Sequence, residues 1–353
     1  MSGSDMEEFE TAVADVTSRH SRGENPGTRP AASSAGSVAP TAGPPGELSR
    51  RRPRRGDTGF RLLATGAGVL LLGIMAAIAV FLLLEAIPAI SADRSNFLTT
   101  LGWSPDDSPS SFGIAALAFG SVLSSLLALL IGVPVAVGVA LVTSHYAPRW
   151  LGGPLGYVID LLAAVPSVIF GLWGLIYLVP AMIPLAQFLN RYLGFIPLFA
   201  SDGTFGKSVL VASVVLAVMI LPIVAAVSRE VFGQTPRDHI EAAYAIGATK
   251  WEMVRTAILP YGRSGMVSAT VLGFGRAIGE TIAVALVLSA NYQISFRILE
   301  PGGNTIAANI ANTYGEAGAT GRGALIASGL ILFAITLIVN FAARAIVKRG
   351  VAR

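Results

Sequence analysis

An arginine and a glutamate lie four residues apart within an otherwise apolar stretch of this chain. Arg276 and Glu280 occupy the middle of a segment from Gly262 to Leu288 that is long enough to cross a bilayer as a helix. A charge at that depth costs at least about 2.5–3.5 kcal/mol, so such a residue is by default a functional candidate. The guanidinium group of Arg276 could bind a tetrahedral oxyanion through its planar fork of donors. Alternatively, a salt bridge between the two side chains locks helices together.

A second group of candidate residues lies in a polar segment, residues 235–260, between two apolar stretches. Three residues predict the start of a first helix, as N-cap, first helical residue and capping-box acid: Thr235, Pro236 and Asp238. Gly247 suits the left-handed conformation that ends such a helix. Thr249 and Glu252 repeat the capping-box spacing at the start of a second helix. We therefore expect a helix, a glycine turn and another helix, which together could dock in a groove.

The composition that surrounds these residues is that of a membrane protein. Hydrophobic residues make up 53% of the 353 residues and charged residues 13%, against about 25% charged in soluble proteins. Six apolar runs reach the length of about 20 residues that crosses a bilayer. They are Leu62 to Ile90, Phe112 to Val142, Leu155 to Ile183, Ser208 to Val227, Gly262 to Leu288 and Ala324 to Val347. We expect an all-α polytopic membrane protein with six transmembrane helices.

The basic residues predict the orientation of these helices. Most Lys and Arg residues near the ends of the runs, including the cluster from Arg50 to Arg55, fall on the cytoplasmic side if both termini are cytoplasmic. The same orientation places residues 235–260 in the cytoplasm. Residues 1–58, which are dense in Pro, Gly, Ser and Ala, are expected to form a disordered cytoplasmic tail that ends in the basic cluster. Residues 59–353 are expected to form the transmembrane domain.

Several kinds of site are not expected. The chain has no cysteine, and its histidines, His20, His145 and His239, are too far apart to suggest a metal cluster. Gly206 to Ser208 end like an ATP-binding P-loop, but Ser201 stands where that motif requires its first glycine. We therefore expect no metal and no bound cofactor, and in particular no ATP site, in this chain. Nucleic-acid binding is not expected either, because the basic residues adjoin apolar runs.

The polar segment resembles the EAA loop that membrane subunits of ABC importers present to their cytoplasmic ATPase. That pattern is Glu-Ala-Ala, three free positions, Gly, nine free positions and Ile-x-Leu-Pro. The matching residues are Glu241, Ala242, Ala243, Gly247, Leu259 and Pro260. Ala257 stands at the isoleucine position, with Ile258 one residue later. The resemblance implies that the segment couples the chain to an ATPase, whereas an amphipathic hairpin on the membrane surface is the alternative.

The segment Gly275 to Thr281, which reads GRAIGET, is similar to a signature of phosphate-specific (Pst) permease subunits, especially the PstC type. Val165 to Gly174 and Gly247 to Glu252 add to this resemblance, which covers essentially Arg61 to Arg349. It implies the type I ABC importer permease (MetI-like) fold and a role as one half of a path for inorganic phosphate. Arg276 and Glu280 would then contact or gate the anion.

Two further positions in the third run are expected to shape the helices. Pro166, with Ser167 after it, is expected to kink a helix that lines the path, although a packing kink is equally compatible with the sequence. Asp160 is expected to pack helices together, or alternatively to pair with Arg276.

The resemblance also implies a set of partners. These are a homologous permease of the PstA type, two ATPases of the PstB type that use ATP and Mg, an extracytoplasmic phosphate-binding protein of the PstS type, and membrane lipid. Phosphonate or sulfate is an alternative substrate. The alternatives from other classes are an ion-coupled secondary transporter that uses Glu280 as its proton carrier, and a sensory protein that signals phosphate status. The location implied is the bacterial inner membrane.

Overall fold

The computed structural model describes residues 55–351, which are mostly helical. The helices are α1 (Arg55–Ala92), α2 (Ala115–Leu141), α3 (Arg149–Ala163), α4 (Ser167–Trp173), α5 (Val179–Leu193), α6 (Val209–Gly233), α7 (Arg237–Ala245), α8 (Lys250–Met253), α9 (Leu259–Ile278), α10 (Ile282–Val287), α11 (Ile306–Thr313) and α12 (Ala319–Val351). Two short strands, β1 (Trp103–Ser104) and β2 (Ser111–Phe112), pair antiparallel between α1 and α2. Nearly all of the predicted tail lies outside the described residues.

The prediction of an all-α polytopic fold is confirmed, but the predicted number of spans is not reproduced. Within residues 55–351, five helical segments are long and apolar enough to cross a membrane: Gly59–Ala92, Ala115–Tyr146, Ser167–Leu193, Val209–Gly233 and Ala319–Ala345. The predicted fifth span is divided into α9 and α10 by a break at Gly279. The predicted third span is divided at Pro166, because a proline disfavours helical backbone at the residue before it. The apolar helix that follows this break extends to Leu193.

Prolines also explain three turns of π-helix in the described chain. These turns are Val142–Tyr146, Gly174–Leu178 and Val254–Ile258. The residue that caps each turn donates its N–H to the carbonyl five residues earlier and is itself followed by proline: Ala147 by Pro148, Val179 by Pro180, and Leu259 by Pro260. A proline ring collides with the carbonyl four residues before it, and a wider turn relieves that collision. The last two turns therefore keep the backbone helical from α4 into α5 and from α8 into α9.

The core of the domain is built around α6, which packs against α2 and α9. Val215, Leu216 and Ile220 of α6 are almost completely buried in the largest apolar cluster of the described residues. Many large apolar side chains on other helices are exposed, among them Leu70 of α1 and Phe341 of α12. Because the protein lies in a membrane, such surfaces can face lipid or a partner subunit instead of water.

Contacts at the two ends of α2 define the two ends of the domain. Before α2, the carboxylate of Asp106 accepts hydrogen bonds from the backbone N–H groups of Gly318 (2.9 Å) and Gly321 (2.8 Å) at the start of α12. After α2, the Lys250 ammonium lies 4.9 Å from the centroid of the Tyr146 ring. The 27 residues of α2 span about 40 Å. Thus α12 starts at the end opposite to residues 235–260, and it runs antiparallel to α9.

The Asp106 contact gives a prediction about the start of α12. We expect Asp106→Ala to increase hydrogen exchange at the Gly318 and Gly321 amides about fivefold, the effect of losing a typical helix cap. Asp107→Ala is the matched control, because no hydrogen bond to the Asp107 side chain is found in the described residues. Hydrogen exchange with mass spectrometry compares the variants. Equal exchange in both would show that the Asp106 carboxylate does not stabilise the start of α12.

Candidate coupling loop and membrane cavity

Residues 235–260 form the predicted arrangement of helix, glycine turn and helix, and we call them the coupling loop. Gly247 follows α7 with a φ of +82°, as predicted from its position. Its N–H donates to the carbonyl of Tyr244 (2.9 Å), and the N–H of Ala248 donates to that of Ala243 (3.1 Å). A left-handed backbone costs other residues roughly 1–2 kcal/mol, so glycine is the residue that this turn requires.

One of the two predicted capping boxes is present. Thr249 Oγ1 accepts from the N–H of Glu252 (3.4 Å), while Glu252 Oε2 accepts from the N–H of Thr249 (2.8 Å). The box predicted from Thr235 is wrong. Pro236 takes the N-cap position instead, with an extended ψ of 136°. Thr235 therefore lies one residue outside the helix, where its hydroxyl is buried without a hydrogen-bond partner in the described chain.

The capping box predicts a measurable pH effect. Hydrogen bonds from the backbone and hydroxyl of Thr249 to the carboxylate lower the pKa of Glu252 from its ordinary value of 4.5. The box therefore stabilises the loop above pH 4.5, and this contribution is lost as pH falls through the lowered pKa. We expect Thr249→Ala to raise the Glu252 pKa back toward 4.5. Carboxyl-carbon NMR measures this change, with Thr256→Ala as control, and an unaltered pKa would contradict a role of the Thr249 hydroxyl, since alanine keeps the backbone N–H.

One face of the coupling loop is anchored and the other is free. Ala243 is buried in an apolar cluster that includes Phe232. On the other side Ile246 is 86% exposed and Trp251 is 57% exposed. The residues that carry the resemblance divide in the same way: Glu241, Ala242, Gly247 and Pro260 are exposed, Leu259 is half-buried and Ala243 is buried. The loop therefore presents two large apolar side chains, Ile246 and Trp251, at its surface.

The coupling loop continues without a break into the helix that carries Arg276. The backbone is helical from Lys250 to Ile278, through α8, the π turn and α9. At the usual helical rise, the 26 residues from Lys250 to Arg276 cover about 39 Å. The second helix of the loop is thus the first part of the long helix that carries Arg276 and not a separate short element.

Arg276 and Glu280 do not form the salt bridge that their spacing would allow. Helix α9 ends at Ile278, and Gly279 has φ and ψ of −90° and 0°, so the two residues no longer share one helical face. Glu280 is buried, and its Oε1 accepts from the N–H of Ala283 (3.4 Å) at the start of α10. Arg276 Nε is buried without a hydrogen-bond partner in the described chain.

Arg276 lines a large cavity between α6, α9 and α12. The cavity has a volume of about 820 Å³. Its lining residues are Ile223, Val267, Ser268, Val271, Leu272, Gly275, Arg276, Asn340, Ala343 and Arg344. Arg344 and Asn340 were not predicted as site residues, because nothing in the sequence of α12 indicates that its C-terminal part meets α9. The cavity combines apolar walls with a few polar groups, which is typical of a binding site or path.

The two predicted positions of the third apolar run lie away from this cavity. Pro166 produces a complete break between α3 and α4, with Ser167 as the first residue of α4. Asp160 accepts two hydrogen bonds from Arg229 Nη2 (3.0 and 3.1 Å), so it packs α3 against α6 and does not pair with Arg276. Gly156 lies next to this pair, where a Cβ would crowd Arg229 Nη1. This pair was not predicted, because the two residues are 69 positions apart in the sequence.

Among solved structures, the inward-facing MetNI methionine ABC transporter matches with a TM-score of 0.43 and 21% identity, over 65% of this chain and 91% of that chain. This likeness is too low to support an argument about the present chain.

The sequence comparisons identify the family. Residues 128–350 match the family of the binding-protein-dependent transport system inner membrane component. Phosphate transport system permease protein PstC 2 of Mycobacterium tuberculosis is 48% identical over 304 residues, which are 85% of this chain and 94% of the relative. The PstC protein of Mycobacterium leprae is 46% identical over 76% of this chain and 86% of the relative. The PstC protein of Xylella fastidiosa is 39% identical over 84% of this chain and 92% of the relative. The chain therefore belongs to the inner membrane components of binding-protein-dependent transport systems and, within them, to the PstC permeases.

Proposed function

We propose that this chain is the membrane permease subunit of an ATP-driven importer for inorganic phosphate, and that it forms half of the translocation path. The observation that carries this proposal is the placement of Arg276. Its guanidinium group lines a cavity of about 820 Å³, on a helix that continues from the exposed coupling loop. The names of the PstC relatives support phosphate as the substrate.

Arg276 is proposed to attract the anion into the path. A phosphate ion meets a high electrostatic barrier where little water screens its charge, and one guanidinium group nearby offsets part of that barrier. Arg276 Nε has no hydrogen-bond partner in the described chain, and no carboxylate there pairs with the guanidinium group, so its charge is not already neutralised by an ion pair. Glu280 is proposed to gate the path from the break between α9 and α10, where its carboxylate already contacts backbone.

The coupling loop is proposed to dock with the ATPase. Ile246 and Trp251 offer exposed apolar contacts, and Glu241 of the same loop is an exposed charge. Ala243 holds the loop on the membrane domain, so that a displaced loop moves α9 as well. This chain binds no ATP or Mg itself and is not an enzyme. Two ATPase subunits of the PstB type bind and hydrolyse the nucleotide.

The remaining partners follow from the same proposal. A homologous permease of the PstA type forms the other half of the path, and an extracytoplasmic protein of the PstS type delivers phosphate. The subunit lies in the bacterial inner membrane among lipids, with residues 59–353 as its transmembrane domain and both termini in the cytoplasm. Residues 1–58 form a cytoplasmic tail that takes no part in transport.

The test is to reconstitute this chain in liposomes with its partner permease and ATPase subunits, and to add the binding protein. Uptake of radiolabelled anion and ATP hydrolysis are measured with phosphate, sulfate and a phosphonate. We expect phosphate alone to stimulate both. Stimulation by sulfate or phosphonate instead would assign another oxyanion. Uptake without ATP, driven by a proton gradient, would assign a secondary transporter.

A further inference from the structure

The cavity that Arg276 lines carries a second cationic side chain, contributed by another helix. Helix α12 provides Asn340, Ala343 and Arg344 to the lining, whereas Arg276 belongs to α9. Asn340 and Arg344 are four residues apart and therefore lie on one face of α12. Two guanidinium groups from separate helices thus share one cavity.

The charge in this cavity is unbalanced within the described chain. The lining residues include two arginines, Asn340 and Ser268, and the others are apolar residues or glycine. The ion pairs found among the described residues involve Arg229 and Arg297, and neither Arg276 nor Arg344 takes part. Two positive charges in the cavity are therefore not offset by any carboxylate found in the described chain, and an anion that enters the cavity is attracted to each of them.

Measured along the helix axes, Arg344 lies closer to the coupling loop than Arg276 does. Helix α12 starts beside the segment that precedes α2, and Arg344 follows about 38 Å later at the usual helical rise. This is almost the length of α2, whose far end meets the coupling loop. Arg276 lies about 26 Å from the start of α9 at that same loop. The two cations therefore occupy different depths of one cavity.

We propose that Arg344, with Asn340 beside it, is a second anion-binding position that receives phosphate from Arg276 before release on the side of the coupling loop. This inference rests on the proposed function. The cavity of about 820 Å³ is many times the roughly 30 Å³ of a water molecule, so the anion passes with water around it. The guanidinium N–H groups of Arg276 and Arg344 then guide the anion without holding it tightly.

The absence of cysteine from the chain permits a direct test of the charge at this position. In the full reconstituted complex, Arg344→Cys provides a thiol that reacts with methanethiosulfonate reagents. The aminoethyl reagent adds a positive charge there, and the sulfonatoethyl reagent adds a negative charge. Arg263→Cys is the matched control. Arg263 is exposed at the end of α9 that adjoins the coupling loop, and it does not line the cavity. The complex with the unaltered chain controls for cysteines in the partner subunits.

We expect Arg344→Cys to lower phosphate uptake about tenfold, the aminoethyl reagent to restore most of it, and the sulfonatoethyl reagent to restore none. Arg263→Cys should stay within about twofold of the unaltered chain with either reagent, because exposed charges contribute little. The inference is overturned if Arg344→Cys behaves like Arg263→Cys, or if both reagents restore uptake equally. If the unaltered complex takes up no phosphate, the proposed function itself fails.

Discussion

Replacing Arg276 by glutamine is expected to lower phosphate uptake by roughly 100-fold, the factor that corresponds to about 2.7 kcal/mol of lost charge stabilisation. Glutamine keeps a polar side chain of similar reach and removes the charge. No ion pair of Arg276 is found among residues 55–351, so the substitution leaves no described carboxylate without its partner. The yield of assembled complex should therefore stay unchanged, and both quantities are measured on the same preparation.

Arg276→Lys separates charge from geometry in this experiment. Lysine keeps the positive charge but replaces the planar fork by a compact ammonium group, so we expect uptake between those of the parent chain and Arg276→Gln. If Arg276→Gln transports normally, the residue has no role in anion passage. A complex that fails to assemble would instead assign Arg276 to helix packing.

Replacing Gly247 by proline is expected to uncouple the ATPase from transport. Proline fixes φ near −65°, whereas the turn requires +82°, and it also removes the N–H that donates to Tyr244. A penalty of about 3 kcal/mol would leave the native turn in fewer than roughly one loop in 100. The apolar spans do not depend on this turn, so we expect normal membrane insertion. Binding of the purified ATPase subunit and uptake per ATP hydrolysed are the measurements.

Three variants make this result interpretable. In Gly247→Ala the added Cβ meets no atom within 4 Å, so the only cost is the left-handed backbone conformation. We therefore expect a smaller defect than in Gly247→Pro. Ile246→Ala removes an exposed contact and leaves the turn intact, so it reports docking alone. Glu241→Lys reverses an exposed charge of the same loop and should weaken docking as well. Normal uptake by both Gly247→Pro and Glu241→Lys would remove the basis for a coupling role.

Features that depend on a few consecutive residues were predictable from the sequence. The left-handed Gly247 and the box of Thr249 and Glu252 involve hydrogen bonds across three to five positions, and both are present as predicted. The same reasoning failed at Thr235, because Pro236 could serve either as the first helical residue or as the extended residue before it. Its ψ of 136° places it before the helix.

Features that depend on packing between distant segments were not predictable. A glycine inside an apolar helical pattern is often tolerated, so nothing local showed that α9 would end before Gly279 and separate Arg276 from Glu280. The pairing of Asp160 with Arg229 depends on how α3 meets α6. Arg344 looked like an ordinary basic residue at a membrane boundary until α12 was seen to line the cavity of Arg276.

The continuous helix from Lys250 to Ile278 would act as a lever between the exposed coupling loop and Arg276 if the loop docks as proposed. A tilt of about 10° at the loop would displace Arg276 by roughly 7 Å over the 39 Å between them. Such a lever transmits in both directions. If binding of the ATPase at Ile246 changes the affinity of Arg276 for an anion, the bound anion must change the affinity of the coupling loop for the ATPase by the same factor. An occupied path would then report its own state to the nucleotide-binding side of the membrane.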